Sequence, residues 1–424
     1  MVSTDKPLKI ALLSYRSKPH CGGQGVYVHH LSKALSDRGH RVQVLSGQPY
    51  PVLDKRVKLQ RLPSLDIFND AFPGRTPGYW EVKTWADSIE VCSFMTGTFS
   101  EPLAFSLRAW QALRNHLSNF DIVHDNQSLG YGLLGIQRQG LPVLSTIHHP
   151  ITIDAKLELE QTTGFMERFG KRRWYSFTKM QARVARRLKR IITVSESSRN
   201  DIASELKVPL HLMHVVPVGV DPNLFRPLPN IQRCAKQIIT TASADVAMKG
   251  LRYLLEALAK LRTERDISLL VIGKPREDGA SIKAIEHLGL NDAVKFVTNV
   301  TDERIVELYA QSAAAVVPSL YEGFSLPAIE AMCTTTPLVA TTGGALPEVA
   351  GTNGETCITV PPGDAEALTA ALRQVLDNPE FASRIGTAGR ERVLERWSWH
   401  HTAAKTEQQY LEMLIQRQAS NSSR

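Results

Sequence analysis

Short apolar runs alternate with amphipathic stretches along most of this chain. Lys9-Ile10-Ala11-Leu12-Leu13-Ser14 reads as a short buried strand. It is followed by Gly22-Gly23-Gln24-Gly25 and by a helical pattern over residues 26–35. Arg38-Gly39-His40 closes that helix, and Val42-Gln43-Val44-Leu45 is the next strand. Strand, glycine turn, helix and strand form a parallel unit with a right-handed crossover. Strand ends follow at 122–124, 143–147 and 191–194.

The grammar restarts near residue 236, with strands predicted at 238–241, 269–273, 294–297, 315–318 and 338–340. Helices are predicted between them at 251–261, 282–287 and 302–311. Two successive alternating series predict an α/β protein of two doubly wound parallel-sheet domains. The best hinge is Val216-Pro217-Val218-Gly219-Val220-Asp221-Pro222. Residues 48–108, rich in Pro, Gly and aromatics, resist the pattern and read as a long irregular insertion, a binding loop or a lid.

Composition narrows the class without choosing a function. With 424 residues, 43% hydrophobic and 22% charged, the chain reads as a soluble globular protein of two or three domains. Its five cysteines are scattered without a Cys-x-x-Cys pair, which argues against a disulfide framework or a thiolate zinc site and for a reducing compartment. The start of the chain does not resemble a signal peptide, and no apolar stretch is long enough to span a bilayer. The location expected is cytoplasmic, with peripheral attachment at the inner face of the membrane as the variant. A net charge of +8 suits anionic small molecules or lipid surfaces, and no motif supports nucleic-acid binding.

Ligands of open α/β sheets bind beyond the carboxyl ends of the strands. Gly22 and Gly23 stand there, before a helix whose first N–H groups and positive dipole end suit a phosphate. Two adjacent glycines equally describe a turn with no ligand. Lys249-Gly250 opens another helix, where the ammonium is a point charge suited to a pyrophosphate. The strongest local signal is Pro318-Ser319-Leu320-Tyr321-Glu322-Gly323-Phe324-Ser325-Leu326-Pro327-Ala328-Ile329-Glu330-Ala331-Met332, with Glu322 and Glu330 as its carboxylates. Its two carboxylates lie eight residues apart and can address different ends of one extended ligand.

Taken together these residues resemble the retaining, nucleotide-sugar-dependent glycosyltransferases of the GT-B fold known as family 4, or group 1. Thr146-Ile147-His148, Val194-Ser195-Glu196-Ser197, Gly219-Val220-Asp221, Gly343-Gly344-Ala345-Leu346-Pro347-Glu348, Val360-Pro361-Pro362-Gly363-Asp364 and Trp397-Ser398-Trp399 extend the likeness. It implies two Rossmann-like domains facing across a cleft: 1–216 for the acceptor, with the insertion, and 217–396 for the donor. A helix over 397–424 would cross back to the first.

By the same resemblance, Glu322 holds hydroxyls of the donor sugar and Glu330 the nucleotide ribose. Gly323, Phe324, Ser325 and Leu326 offer backbone amides to the sugar. Lys249 stabilises the leaving diphosphate, with Gly22 and Gly23 approaching the same group, and His148 hydrogen-bonds the reacting sugar. The activity implied is transfer of a hexose from a UDP- or GDP-linked donor to an alcohol acceptor with retention, needing no cofactor. The chain lacks an Asp-x-Asp pair, so no metal is expected.

The chain also departs from the family. Ser243 stands where relatives usually carry a second diphosphate-binding arginine, and Lys274 is the candidate to replace its charge. Ser325 and Val218 replace a frequent Gly and Asn. Residues 168–190 hold ten basic side chains interleaved with aromatics. They read as a basic amphipathic helix, either packed with its charges in solvent or touching anionic lipid or a lipid-linked or anionic acceptor. Two rivals stay open at this point: a nucleotide-sugar-binding protein without transferase activity, and an isomerase or phosphorylase on the same scaffold.

Overall fold

The apolar run at the start of the chain becomes strand β1 (Lys9–Ser14), whose Ile10, Ala11, Leu12 and Leu13 are fully buried. Burial of every consecutive side chain, rather than every second one, marks a parallel strand covered on both faces. The structure is a computed structural model and describes residues 6–17, 23–69, 74–242, 245–276 and 278–422.

Two units result. One comprises Met1–Val194, Arg199–Val216 and Trp399–Arg424; the other comprises Ser195–Ser198 and Pro217–Ser398.

In the first unit β1 is joined by β2 (Arg41–Ser46), β3 (Lys58–Arg61), β4 (Ile122–Asn126), β5 (Val143–Ile147), β6 (Arg190–Thr193) and β7 (Met213–Val215). The sheet runs β3-β2-β1-β4-β5-β6-β7, and every neighbouring pair is parallel. The direction of winding reverses between β1 and β4, the position at which such sheets open a ligand crevice. The helix Gly23–Asp37 makes the first crossover and buries Tyr27, Val28, Leu31 and Leu35.

The second unit repeats the plan with β8 (Cys234–Thr241), β9 (Ser268–Ile272), β10 (Val294–Val297), β11 (Ser312–Val317), β12 (Leu338–Thr341) and β13 (Ile358–Val360). Its order is β10-β9-β8-β11-β12-β13, again wholly parallel, with the reversal between β8 and β11. The helices Leu251–Arg262 and Ala365–Asp377 cover it with Leu254, Leu255, Leu258, Leu368 and Leu372. Among the described residues Cys92, Cys234, Cys333 and Cys357 are free thiols. No helix of the described residues is long and apolar enough to cross a membrane.

Two regions differ from the sequence reading. Residues 48–108 are not irregular throughout: they contain β3, the helix Trp85–Met95 and most of the helix Glu101–Leu113. The helix Trp85–Met95 starts at a capping box in which the Thr84 hydroxyl accepts from the Asp87 N–H and the Asp87 carboxylate accepts from the Thr84 N–H. Its inward face carries Asp87 and Glu90, both ion-paired to the buried Arg108. Charges on the buried side are what hid its periodicity.

The single basic helix expected over 168–190 is broken. A helix Phe165–Trp174 gives way to a 3-10 turn, Tyr175–Phe177, then a second helix, Thr178–Ala185, and β6 begins at Arg190. The break follows from packing: the Trp174 carbonyl accepts from the Phe99 N–H at 3.2 Å, and the Trp174 and Phe177 rings lie against Phe99.

Candidate functional site

In the second unit the carboxyl ends of β8 and β11 lie side by side at the reversal. The chain leaving β8 makes a short turn, Ala247–Lys249, and enters the helix Leu251–Arg262 through Gly250 at φ +65°. A Cβ on Gly250 would lie 2.0 Å from the Pro318 carbonyl oxygen, so a glycine is what lets the two loops touch backbone to backbone. The Leu320 N–H closes the contact by donating to the Met248 carbonyl at 2.7 Å.

That approach sets Lys249 against Glu322, Nζ to Oε1 at 2.8 Å. The same carboxylate oxygen accepts the Ser319 hydroxyl at 2.7 Å. From the far side the Ala345 N–H donates to the Glu322 carbonyl at 2.8 Å. Gly344, at φ +62°, makes room there, since a Cβ would fall 2.3 Å from that carbonyl oxygen. Glu322 is thus nearly buried and fixed at both its ends, while Lys249 keeps about a quarter of its side chain exposed. A held carboxylate beside an accessible ammonium can orient hydroxyls and receive an anion.

The Glu322 loop continues through Gly323 and Phe324, whose ring packs edge-on against Trp397, to Ser325 and the helix Leu326–Cys333. Ser325 is that helix's N-cap residue, at φ +93° and ψ +88°, and its hydroxyl caps nothing. Glu330 lies on the same helix, partly exposed. Burial, and secondarily the charge of Asp302, push its carboxyl up to about 8. Nearby, the Tyr309 hydroxyl lies 3.0 Å from Thr241 Oγ1 and 3.5 Å from the Pro327 carbonyl. The structure therefore brings Lys249 and Glu322 together and strings Gly323, Phe324, Ser325, Leu326 and Glu330 behind them. Lys274 is exposed in the loop after β9, next to β8 in the sheet. Ser243 lies outside the described residues.

In the first unit His148 follows β5. Its Nε2 is 2.8 Å from Asn126 Oδ1, and its backbone N–H donates to Gln127 Oε1 at 2.7 Å. Asn126 spends its amide N–H on the Gln24 carbonyl at 3.3 Å. Its oxygen therefore faces the His148 ring nitrogen Nε2. Burial, and secondarily the charge of His149, hold the His148 imidazole down to about 3, so it is neutral at physiological pH. Tyr27 packs edge-on against it at 4.8 Å. Gly23 begins the helix Gly23–Asp37, and among the described residues a side chain there would meet nothing within 4 Å. Gly22 lies outside the described residues.

Behind this edge runs a buried relay. His124 Nε2 and the Tyr27 hydroxyl both meet Thr146 Oγ1, at 2.6 and 2.9 Å, and His124 Nδ1 meets the Tyr410 hydroxyl at 2.6 Å. Asn126 and Gln127 belong to none of the sequence motifs, and Ser319 lies within the Pro318–Met332 motif without an assigned role. For the first two a signal was present: His124-Asp125-Asn126-Gln127-Ser128 is an unbroken polar run directly after the apolar Ile122-Val123, and all five are buried.

The basic segment is largely spoken for within its own unit. Arg168 donates to the Leu159 and Thr162 carbonyls, Arg173 to the Thr96 carbonyl, and Lys171 to Thr162 Oγ1. Phe165, Met166 and Phe169 nonetheless stand 80%, 74% and 56% exposed. Among the described residues no group of three or more His, Cys, Asp or Glu side chains is arranged to hold a metal ion.

Comparison with known proteins shows the family. The family model for Glycosyl transferases group 1 matches residues 232–392, and that for Glycosyltransferase Family 4 matches residues 21–224. Over 400 residues, 94% of this chain and 97% of the relative, the sequence is 48% identical to an MMP alpha-(1->4)-mannosyltransferase of Mycolicibacterium hassiacum. The chain belongs to the group 1 glycosyl transferases. A glycogen synthase of Mycobacterium tuberculosis is 28% identical, covering 95% of this chain and 94% of that one. Among solved structures, sucrose-phosphate synthase from Thermosynechococcus elongatus superposes with a TM-score of 0.74 at 23% identity, over 96% of this chain and 99% of that one. Anabaena HepE in complex with UDP-glucose gives 0.67 at 17%, over 96% and 100%. These neighbours fix the fold of this glycosyltransferase as GT-B, with two Rossmann-like domains.

Proposed function

We propose that this glycosyltransferase moves a hexose from a nucleoside-diphosphate sugar to an alcohol acceptor with retention of anomeric configuration. The observation that carries the reading is the Lys249–Glu322–Ser319 arrangement at the reversal between β8 and β11. Negative charge grows on the diphosphate as the sugar–phosphate bond breaks toward an oxocarbenium-like transition state. Lys249 is the group for that charge. Glu322 orients sugar hydroxyls rather than attacking carbon, and Glu330 takes the ribose. His148, neutral and held against Asn126, hydrogen-bonds the reacting sugar. The acceptor hydroxyl attacks on the face the diphosphate leaves, and the diphosphate takes its proton. The likeness to a mannosyltransferase supports mannose as the sugar.

The first unit is the proposed acceptor side. Exposed Phe165, Met166 and Phe169 beside the basic residues of their helix support an acceptor that is lipid-linked or anionic. No metal requirement is proposed, on the absence of an Asp-x-Asp pair.

Thermal-shift measurement against UDP-glucose, GDP-mannose and other common nucleotide sugars, followed by NMR of the glycoside formed, tests the reading. One nucleotide sugar should stabilise the protein and the product should keep the donor's anomeric configuration. An inverted product, or turnover abolished by chelator and restored by Mn²⁺, overturns the corresponding part.

A further inference from the structure

Ser325 accumulates two costs at one residue. Its backbone lies at φ +93°, ψ +88°, a region that a residue with a Cβ enters only at a cost. Its hydroxyl is buried, with the residue 5% exposed, and Oγ finds no hydrogen-bond partner among the described residues. A buried hydroxyl left unpaired is unfavourable in its own right. Serine at a helix N-cap ordinarily recovers this by accepting from an N–H of the first turn, but here the left-handed backbone rules that out and no cap bond forms. Glycine would remove both costs.

The surroundings indicate what the hydroxyl is for. It stands at the N-terminus of the helix Leu326–Cys333, where free N–H groups and the dipole favour an anion. Three residues earlier lies Glu322, in contact with the ammonium of Lys249. The hydroxyl and the helix N-terminus are donors on the same loop as the carboxylate that holds the Lys249 ammonium, and donors of this kind suit a phosphate group.

We propose that the Ser325 side chain is a donor-site ligand whose Oγ–H donates to an oxygen of the distal phosphate, the one bonded to the sugar. This rests on the assignment of the Lys249–Glu322 site to a nucleoside-diphosphate sugar and adds a side-chain contact to it.

The test is calorimetric binding of UDP and GDP, with UMP and GMP as controls, to the wild type and to Ser325→Ala, Ser325→Gly and Lys249→Met, with the Tm of each. Both Ser325 variants should weaken the preferred diphosphate by roughly 10-fold or more, leave the monophosphate unchanged, and show the same loss in KM for the donor. Ser325→Gly should also melt higher than wild type while binding worse, a combination that a purely structural serine cannot give. Diphosphate affinity retained in Ser325→Gly overturns the proposal. If Lys249→Met is silent as well, the donor-site assignment falls with it. If Lys249→Met weakens binding and the Ser325 variants do not, only the Ser325 contact falls.

Discussion

Lys249 Nζ lies 2.8 Å from Glu322 Oε1, the oxygen that also accepts the Ser319 hydroxyl. The ammonium is therefore positioned by a carboxylate that is itself fixed by a neighbouring side chain. Lys249→Met should lower kcat by about 10²–10³-fold, the range for removing one group aimed at developing negative charge. Ser319→Ala, which only loosens Glu322, should lower kcat/KM by roughly 10-fold. Steady-state release of nucleoside diphosphate measures both, and equal losses in the two variants would contradict this ordering.

His124 and His148 predict how stability depends on acid. Unfolded, each titrates near 6.5; folded, burial foremost holds each down to about 3. Between those values the unfolded chain binds more protons, so stability rises with pH through the window and is fully present above its upper end. On acidification it should fall by up to about 1.4 kcal/mol per pH unit for each histidine. Urea denaturation at a series of pH values checks this, and His124→Gln should flatten the slope. The kcat profile should show no inflection from His148 near neutrality.

Lys274, exposed after β9, is the candidate for the charge missing at position 243. Lys274→Ala should lower turnover by about tenfold, a loss of order 1.4 kcal/mol, and Ser243→Arg should restore it. Unchanged turnover in Lys274→Ala would leave the leaving group to Lys249 and backbone donors.

Gly250 is the point at which the two loops of the proposed donor site meet. Gly250→Ala combines a left-handed φ with a 2.0 Å contact to the Pro318 carbonyl. It should cost about 1–3 kcal/mol or more of stability. Chemical denaturation should show this together with lost donor binding, because Lys249 and Glu322 can no longer be held at 2.8 Å. A variant as stable as wild type would mean the loops separate freely.

The helix Phe165–Trp174 presents Phe165 and Phe169 outward, while Trp174 packs on Phe99. Co-sedimentation with phosphatidylglycerol vesicles, but not with phosphatidylcholine vesicles, is expected, and replacing Phe165 and Phe169 by Ser should abolish it. Equal behaviour with both vesicle types would remove anionic lipid from the reading.

Much of the architecture could be read from the chain because fully buried parallel strands leave uninterrupted apolar runs, as in Ile10-Ala11-Leu12-Leu13 and Ile238-Ile239. The donor loop was legible because its chemistry is contiguous, from Glu322 to Glu330. What was not legible depends on contacts distant in sequence. The helix Trp85–Met95 hides behind a buried Arg108 that neutralises its inward acids. Asn126 gains meaning only when β5 places His148 beside it. The break at residues 175–177 is imposed by Phe99 rather than by any local breaker.

The hydrogen bond between His124 and Tyr410 spans 286 positions, and it bears on how the chain is made. The sheet of the first unit lacks this buried partner until Tyr410 has been made, so this half completes its packing only after the stretch 217–398 has been synthesised. The stretch 217–398, by contrast, is nearly self-contained. A fragment ending at 216 should be aggregation-prone when expressed alone, and fusing residues 399–422 to it through a flexible linker should rescue it.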